Sequence, residues 1–116
     1  MHGFSKMAIE FEGIVFLTDE EGFLTNPEEW TIGLAEKMAV DDSCQLGPDH
    51  WEAINFLREY YANYAIAPPV RILVRHMGKR LGKKKGNSPY LYELFPFGPA
   101  KQACRYAGLP KPTGCI

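Results

Sequence analysis

The sequence has no long apolar run and few cysteines. No stretch approaches the roughly 18–20 consecutive apolar residues that a membrane-spanning helix needs, and no apolar N-terminal run resembles a signal peptide. Its three cysteines, Cys44, Cys104 and Cys115, are an odd number at wide spacing, which argues against both a disulfide framework and a close-spaced metal-binding pair. These absences predict a cytoplasmic protein with reduced thiols, no membrane insertion, and no resident cofactor or metal.

Length and composition indicate one globular domain. The chain has 116 residues, of which 46% are hydrophobic and 13% aromatic, enough for one hydrophobic core without disulfides. The segment "MHGFSK" lacks periodicity, and the segment after residue 107 is rich in proline and glycine, which disfavour a helix. We therefore predict a disordered extension at 1–6, a single domain at 7–107 and a mobile C-terminal arm at 108–116.

The net charge of −1 conceals a strong asymmetry along the chain. Residues 1–59 contain 3 Lys/Arg and 13 Asp/Glu, a net charge of −10, whereas residues 60–116 contain 10 and 1, a net charge of +9. A basic half favours an anionic partner such as nucleic acid, an acidic protein surface or a small oxyanion. The alternative is that the two halves pair with each other.

Turn and capping signals predict a mainly α (α+β) fold, a small helical bundle with an N-terminal β-hairpin. Hydrophobic alternation around Glu12-Gly13 predicts the hairpin, and Asn26-Pro27 predicts a helix that runs to about Ala39. The same kind of signal predicts four further helices, which begin at Pro48, after "AIAPP", at Ser88-Pro89 and at Gly98-Pro99.

The helices predicted on either side of "AIAPP" form a helix-turn-helix-like element over residues 48–81. The second of them carries Arg71, Arg75 and Lys79 on one ridge, and the basic loop "GKKKGN" follows it. Such a ridge is typical of a DNA-binding helix and also of a face that docks on an acidic protein surface. We predict protein docking through Arg71 and Arg75, with weak DNA binding as the alternative.

Cys104 and Cys115 are the natural pair for sulfur chemistry, since ten residues separate them and a ring that joins them spans 12 residues. Pro110 and Pro112 favour an extended arm that advances ~3.1 Å per residue, which carries Cys115 ~20 Å from Gly108. A thiolate on such an arm attacks electrophilic sulfur, and a second thiol resolves the product. The pair therefore predicts thiol–disulfide or persulfide exchange.

Three basic residues near this pair, Lys101, Arg105 and Lys111, are predicted to bind an anion such as sulfite or an anionic partner. They also favour the thiolate form of a nearby cysteine. Cys44 follows Asp41 and Asp42, whose negative charges disfavour a thiolate. It therefore serves as a negative control for the predicted sulfur chemistry.

Cys104 also has a purely structural interpretation. It follows an i, i+3, i+4, i+7 pattern with three alanines of its helix, the spacing of a small buried hydrophobe. A zinc site built from the cysteines with His50 or His76 is only weakly indicated, because no two cysteines are closely spaced. Catalytic roles are therefore assigned to Cys115 and Cys104 alone.

Two long strings resemble the DsrC/TusE family of sulfur-trafficking proteins: "HWEAINFLREYYANYAIAPPVRILV", residues 50–74, and "GNSPYLYELFPFGPAKQACRYAGLPKPTGCI", residues 86–116. Within that family, TusE-like members relay persulfide for the thiolation of a tRNA wobble uridine and keep only the penultimate cysteine. DsrC-like members have both cysteines. Because this chain has both Cys104 and Cys115, it resembles the DsrC branch, the gamma subunit of dissimilatory sulfite reductase, more closely.

The resemblance implies that sulfite-derived sulfur is held as a persulfide, or as a trisulfide between Cys104 and Cys115. It implies a carrier that is not an enzyme alone and that acts with the catalytic subunits of the reductase. Siroheme and iron–sulfur clusters are then expected in those subunits, and a membrane-bound complex that reduces the trisulfide is expected to regenerate the thiols. A TusE-like persulfide relay for tRNA 2-thiolation and a helix-turn-helix DNA-binding regulator are the alternatives.

Overall fold

The computed structural model describes residues 7–112, which form a two-stranded antiparallel hairpin followed by five α-helices. The strands are β1 (Ala8–Phe11) and β2 (Ile14–Leu17), and the helices are α1 (Ile32–Asp41), α2 (Pro48–Tyr64), α3 (Val70–Leu81), α4 (Ser88–Leu94) and α5 (Pro99–Tyr106). Short 3-10 turns at Pro27–Glu29 and Lys83–Lys85 precede α1 and α4. The predicted mainly helical α+β fold is confirmed.

The hairpin forms because both central residues of its turn adopt the left-handed conformation. Glu12 has φ 53° and Gly13 has φ 79°, as a type I′ turn requires, and the register pairs Phe11 with Ile14 next to the turn. Phe11 also packs on the first turn of α1, where a Cβ added at Gly33 would lie 2.7 Å from Phe11 Cζ. This contact fixes the hairpin on the helical body.

The predicted continuous helix from Asn26 to about Ala39 is wrong at its start. Asn26 caps only the 3-10 turn, where its side chain accepts a hydrogen bond from the Glu28 backbone N–H at 3.0 Å. Trp30 then adopts an extended conformation, with φ −63° and ψ 140°. Thr31 caps α1 instead, and its hydroxyl accepts the backbone N–H three residues on at 3.1 Å. The indole of Trp30 binds a distant segment, and that contact replaces the predicted helical turn.

The starts of the other helices follow the predictions closely. Helix α2 begins at Pro48, α3 begins after "AIAPP", and α5 begins at Pro99 with Gly98 as its N-cap. At α4 the cap lies one residue earlier than predicted. Asn87, rather than Ser88, accepts the backbone N–H of Tyr90, at 2.8 Å.

The core lies where the helices meet, and α5 packs against α1, α2 and α4. Large, fully buried side chains come from every helix: Leu34 and Met38 in α1, Ile54 and Leu57 in α2, Leu73 and Met77 in α3, Leu91 in α4 and Tyr106 in α5. Among residues 7–112, no helix combines the length and the apolar character needed to cross a membrane. Since α5 is held by several neighbours, the residues on its inner face have fixed positions.

Candidate functional site

Cys104 lies on the buried face of α5. The alanines that share this face, Ala100, Ala103 and Ala107, are at most 3% exposed, and Cys104 itself is 0% exposed. The predicted i, i+3, i+4, i+7 pattern therefore describes a core-facing stripe, as expected for small apolar side chains. The role of Cys104 in sulfur chemistry stays a prediction.

Cys115 lies outside the described residues, so only the first part of the predicted arm, residues 108–112, is seen. Within this part, Leu109 is 1% exposed and belongs to the core. Lys111 Nζ lies 2.5 Å from Oε2 of Glu21, in the turn that follows β2. Gly108, Leu109 and Pro112 are therefore buried and Lys111 is tied by an ion pair, while the mobility predicted for residues 108–116 stays a prediction.

Helix α5 ends in a glycine-based cap. Gly108 has φ 73°, and its N–H donates to the Arg105 carbonyl at 3.1 Å, while the Leu109 N–H donates to the Cys104 carbonyl at 3.0 Å. These are the two hydrogen bonds of a Schellman motif, which an apolar residue after the glycine usually completes. Leu109 is that residue. The backbone of Cys104 is thus tied directly to the segment that leads toward Cys115.

Trp30 and Arg58 bind the next two carbonyls of the same helix end, and we call this pair the carbonyl clamp. Trp30 Nε1 donates to the Tyr106 carbonyl and Arg58 Nη1 donates to the Ala107 carbonyl, both at 2.6 Å. The Arg58 guanidinium lies 4.0 Å from the centroid of the Trp30 ring, a cation–π contact. A Cβ added at Gly108 would lie 2.5 Å from Trp30 Cδ1. The glycine is therefore required for the close approach of the indole.

A polar network joins α5 to the end of α1. The Tyr106 hydroxyl donates to Asp42 Oδ2 at 2.7 Å and accepts from Gln102 Nε2 at 2.8 Å, and Arg105 donates to the same carboxylate oxygen. Gln102 Oε1 accepts the Phe97 backbone N–H at 2.7 Å. Burial raises the pKa of the Tyr106 phenol above its ordinary value. The phenol therefore stays a neutral donor at physiological pH.

The three cations predicted to bind an anion near the thiols each face a carboxylate. Lys101 Nζ lies 3.8 Å from Glu21 Oε1, Lys111 Nζ lies 2.5 Å from Glu21 Oε2, and Arg105 pairs with Asp42. The hydrogen bond from Lys111 lowers the pKa of Glu21 below its ordinary value. A free oxyanion would have to compete with these carboxylates. Anion binding at the three residues stays a prediction that this pairing disfavours.

The ten basic residues of the C-terminal half divide into a set that forms ion pairs and a set that does not. Five basic residues of the C-terminal half form ion pairs with acids of the N-terminal half: Arg80, Lys85, Lys101, Arg105 and Lys111. Within the described part of the chain, the other five form no ion pair: Arg71, Arg75, Lys79, Lys83 and Lys84. All five are exposed and lie on α3 or in the turn after it. We call this second set the α3 basic face.

The side chains of Cys44 and His50 are close but do not form a metal site. Cys44 Sγ lies 3.9 Å from His50 Nε2. His50 Nδ1 accepts the Gly47 N–H at 3.0 Å, so Nε2 carries the proton and donates to the Leu94 carbonyl at 2.9 Å. Across residues 7–112, no group of three or more His, Cys, Asp or Glu side chains is arranged to hold a metal ion.

The carbonyl clamp was not found by reasoning from the sequence. Trp30 lies within the helix predicted from Asn26 to about Ala39, and Arg58 belongs to none of the predicted sites. One signal was available, because Arg58 is the only Lys or Arg between Lys37 and Arg71, and it lies in a helix that otherwise carries an aromatic stripe. An isolated cation next to apolar residues indicates a specific acceptor.

Comparisons with known proteins agree with one another. Residues 10–116 match the family described as "DsrC like protein". The sulfurtransferase TusE of Salmonella typhimurium (strain LT2) is 47% identical over 106 residues, which cover 91% of this chain and 97% of the relative. The NMR structure of Allochromatium vinosum DsrC is 60% identical in sequence, with a TM-score of 0.83, and the match covers 94% of this chain and 97% of that one.

A second solved structure gives the same result. The oxidized gamma-subunit of the dissimilatory sulfite reductase (DsrC) from Archaeoglobus fulgidus is 46% identical, with a TM-score of 0.85, and the match covers 94% of this chain and 99% of that one. The sequence matches and the structural matches extend over nearly the whole length of each protein compared. This chain belongs to the DsrC/TusE family of sulfur-carrier proteins.

Proposed function

We propose that this chain is a sulfur carrier that accepts sulfur on the Cys115 thiolate and presents it to a partner protein, with Cys104 as the resolving thiol. The observation that carries the proposal is the family match over residues 10–116, which includes both cysteines. The Schellman motif adds support, because it joins the Cys104 backbone to the segment that leads toward Cys115. A cytoplasmic location is part of the proposal.

In the loading step, the Cys115 thiolate attacks the outer sulfur of a donor persulfide. A sulfur–sulfur bond forms on Cys115 as the donor's sulfur–sulfur bond breaks, and the donor leaves as a thiolate. This transfer needs no external oxidant or reductant. When the Cys104 thiolate then attacks Cys115 Sγ, hydrosulfide leaves and a disulfide forms between the two cysteines.

The comparisons favour a persulfide relay. Relatives at 47% identity are named as sulfurtransferases, and a relay of this type delivers the Cys115 persulfide to a partner that thiolates a tRNA wobble uridine. Such a relay needs Cys115 but does not need Cys104.

The presence of Cys104 favours a second candidate, in which the chain is the partner of dissimilatory sulfite reductase. Its support is the 60% identity to A. vinosum DsrC and the likeness to a reductase gamma-subunit. The reductase, with siroheme and iron–sulfur clusters, supplies two electrons and the two thiols supply two more. Sulfite and four protons then yield a trisulfide between Cys104 and Cys115 and three water molecules. A membrane-bound reducing complex regenerates the thiols.

Mass spectrometry after exposure to glutathione persulfide tests the shared step. We expect Cys115→Ser to show no added sulfur, because the accepting thiolate is gone, and Cys104→Ser to keep the added sulfur as a persulfide, because no second thiol releases it as hydrosulfide. Cys44→Ser is the matched control and is expected to load normally. Normal sulfur addition to Cys115→Ser contradicts the proposal.

The Cys104→Ser variant also separates the two candidates. In a relay it still passes sulfur to an acceptor thiol. In a reaction mixture with dissimilatory sulfite reductase, sulfite and a reductant, it cannot give the bridged trisulfide that the unmodified chain forms. Trisulfide formation by the unmodified chain therefore selects the reductase partner, whereas sulfur transfer without trisulfide selects the relay.

A further inference from the structure

The carbonyls at the end of α5 all have donors within the described part of the chain. The carbonyls of residues 103, 104 and 105 accept backbone N–H groups, with N···O distances of 2.9, 3.0 and 3.1 Å. The next two, those of Tyr106 and Ala107, accept the side-chain donors of Trp30 and Arg58. The last carbonyls of a helix usually bond to water or to a cap. Here two distant side chains, each from a different part of the chain, take that place.

Placing Arg58 at this helix end has a cost. Burial lowers the pKa of its guanidinium, since a charged group loses hydration when it leaves water. Water would satisfy the Ala107 carbonyl without that cost. A bond from a charged donor is stronger and more directional than one from water, so the clamp supplies orientation that solvent cannot.

The clamped carbonyls lie directly before Gly108, where the chain turns toward Cys115. Beyond that turn, Leu109 is held in the core and Lys111 is paired with Glu21. The ring that would join Cys104 to Cys115 has 12 residues, and residues 104–112 make up nine of them. Of these nine, only Pro110 and Lys111 are exposed, and Lys111 is ion-paired, so most of this part of the ring is held by the body. Holding part of a loop lowers the conformational entropy lost on closing it.

We propose that Trp30 and Arg58 are positioning residues for sulfur exchange. By holding the Tyr106 and Ala107 carbonyls, they fix the point from which the chain leads to Cys115, and they thereby favour its coupling to Cys104. This inference rests on the proposed function. It adds that coupling of the two thiols depends on two side chains that react with neither sulfur.

A glutathione redox equilibrium tests the inference. Two protein thiols and one glutathione disulfide give one intramolecular disulfide and two molecules of glutathione, so two electrons pass from the cysteine pair to glutathione. The constant for this exchange measures how favourably Cys115 is held near Cys104. The background is Cys44→Ser, which leaves a single pair of thiols.

The variants are Trp30→Phe, which keeps the ring but lacks the N–H, and Arg58→Met, which keeps an apolar stem but lacks the donor. We expect each to lower the exchange constant by about tenfold, the effect of losing one hydrogen bond to or from a charged or buried group. Tyr90→Phe is the matched control, since it removes a hydrogen bond that joins α4 to Asp49 of α2 and involves no atom of α5, and it is expected to leave the constant unchanged.

Thermal unfolding of the reduced proteins separates positioning from general stability. A lower unfolding midpoint with an unchanged exchange constant in both variants overturns the inference, and so does an equal fall in the constant for Tyr90→Phe. Failure of the proposed function looks different. In that case Cys104→Ser, in which no second thiol can release added sulfur, takes up none from glutathione persulfide, whatever the exchange constant of the parent protein.

Discussion

Gly108 meets two requirements with one residue. Its φ of 73° lies in the left-handed region, which costs other residues about 1–2 kcal/mol, and its missing Cβ makes room for Trp30. The Gly-Leu step after a helix is a sequence signal for a Schellman motif with a buried following residue. Burial of Leu109 could thus have been predicted. The indole contact could not, because residue 30 lies far away in the sequence.

Replacement of Gly108 by alanine is expected to lower the free energy of unfolding by about 2–3 kcal/mol, because strain adds to the displacement of the indole. Urea denaturation measures this loss. Gly13→Ala is the control, since Gly13 has a similar φ of 79° but nothing within 4 Å of an added Cβ. It is expected to lose about 1–2 kcal/mol from strain alone. Equal losses in the two variants would show that the Trp30 contact contributes nothing.

The segment after α5 is held to the turn after β2 by a charge pair that depends on pH. The hydrogen bond from Lys111 holds the pKa of Glu21 below its ordinary value. Since the folded pKa lies below the unfolded one, the pair stabilises the folded state above the ordinary glutamate pKa. It loses that contribution as the pH falls through the lowered value.

An NMR titration of the Glu21 carboxyl carbon tests this pairing. We expect a midpoint below that of an ordinary glutamate, and a return toward the ordinary value in Lys111→Gln. Lys37→Gln removes a different ion pair, the one with Asp41, and should leave the Glu21 midpoint unchanged. A midpoint that does not respond to Lys111→Gln would mean that this segment is not tied to the turn in solution.

Most helices and strands could be located from short sequence signals, because the residues at their ends determine where they begin and end. Glycine at a left-handed turn position and proline in the first turn of a helix restrict the backbone wherever they occur, which is why the hairpin and the starts of α2 and α5 were predicted. The prediction of an α-helix over residues 26–31 is wrong for the opposite reason. There a single long-range bond, from the Trp30 indole to the Tyr106 carbonyl at 2.6 Å, overrides the helical preference of the local sequence.

At the scale of the whole molecule, the acidic N-terminal half neutralises part of the basic C-terminal half and leaves the α3 basic face unpaired. The exposure of Arg71 and Arg75 was predicted, because both lie opposite the apolar stripe of α3. The pairing of Lys101, Arg105 and Lys111 was not, because it depends on which turn of the fold reaches α5. The periodicity of a helix decides which of its side chains are exposed, whereas tertiary contacts decide which basic side chains form ion pairs.

The α3 basic face is expected to dock on an acidic surface of the sulfur partner. With dissimilatory sulfite reductase as the partner, Arg71→Gln combined with Arg75→Gln should slow association about five- to tenfold at low salt, with a smaller effect at high salt. Sulfur loading from glutathione persulfide should not change. Stopped-flow or surface-based binding at two ionic strengths measures the effect.

The matched control for this experiment is Lys37→Gln, which removes a cation paired with Asp41 and should leave association nearly unchanged. The DNA-binding alternative predicts another outcome. The protein then binds duplex DNA tightly, with an affinity that falls steeply with salt, and this binding needs Arg71 and Arg75 but not Cys115.

The complete burial of Cys104 has a consequence for its exposure to the cell's small oxidants. Peroxide or an alkylating reagent arriving from solvent meets the half-buried Cys44 before it meets a sulfur with 0% exposure. Direct attack on Cys104 by such a reagent requires local opening of the structure around it. Under the proposed function, this burial protects the resolving thiol from small oxidants that can reach Cys44.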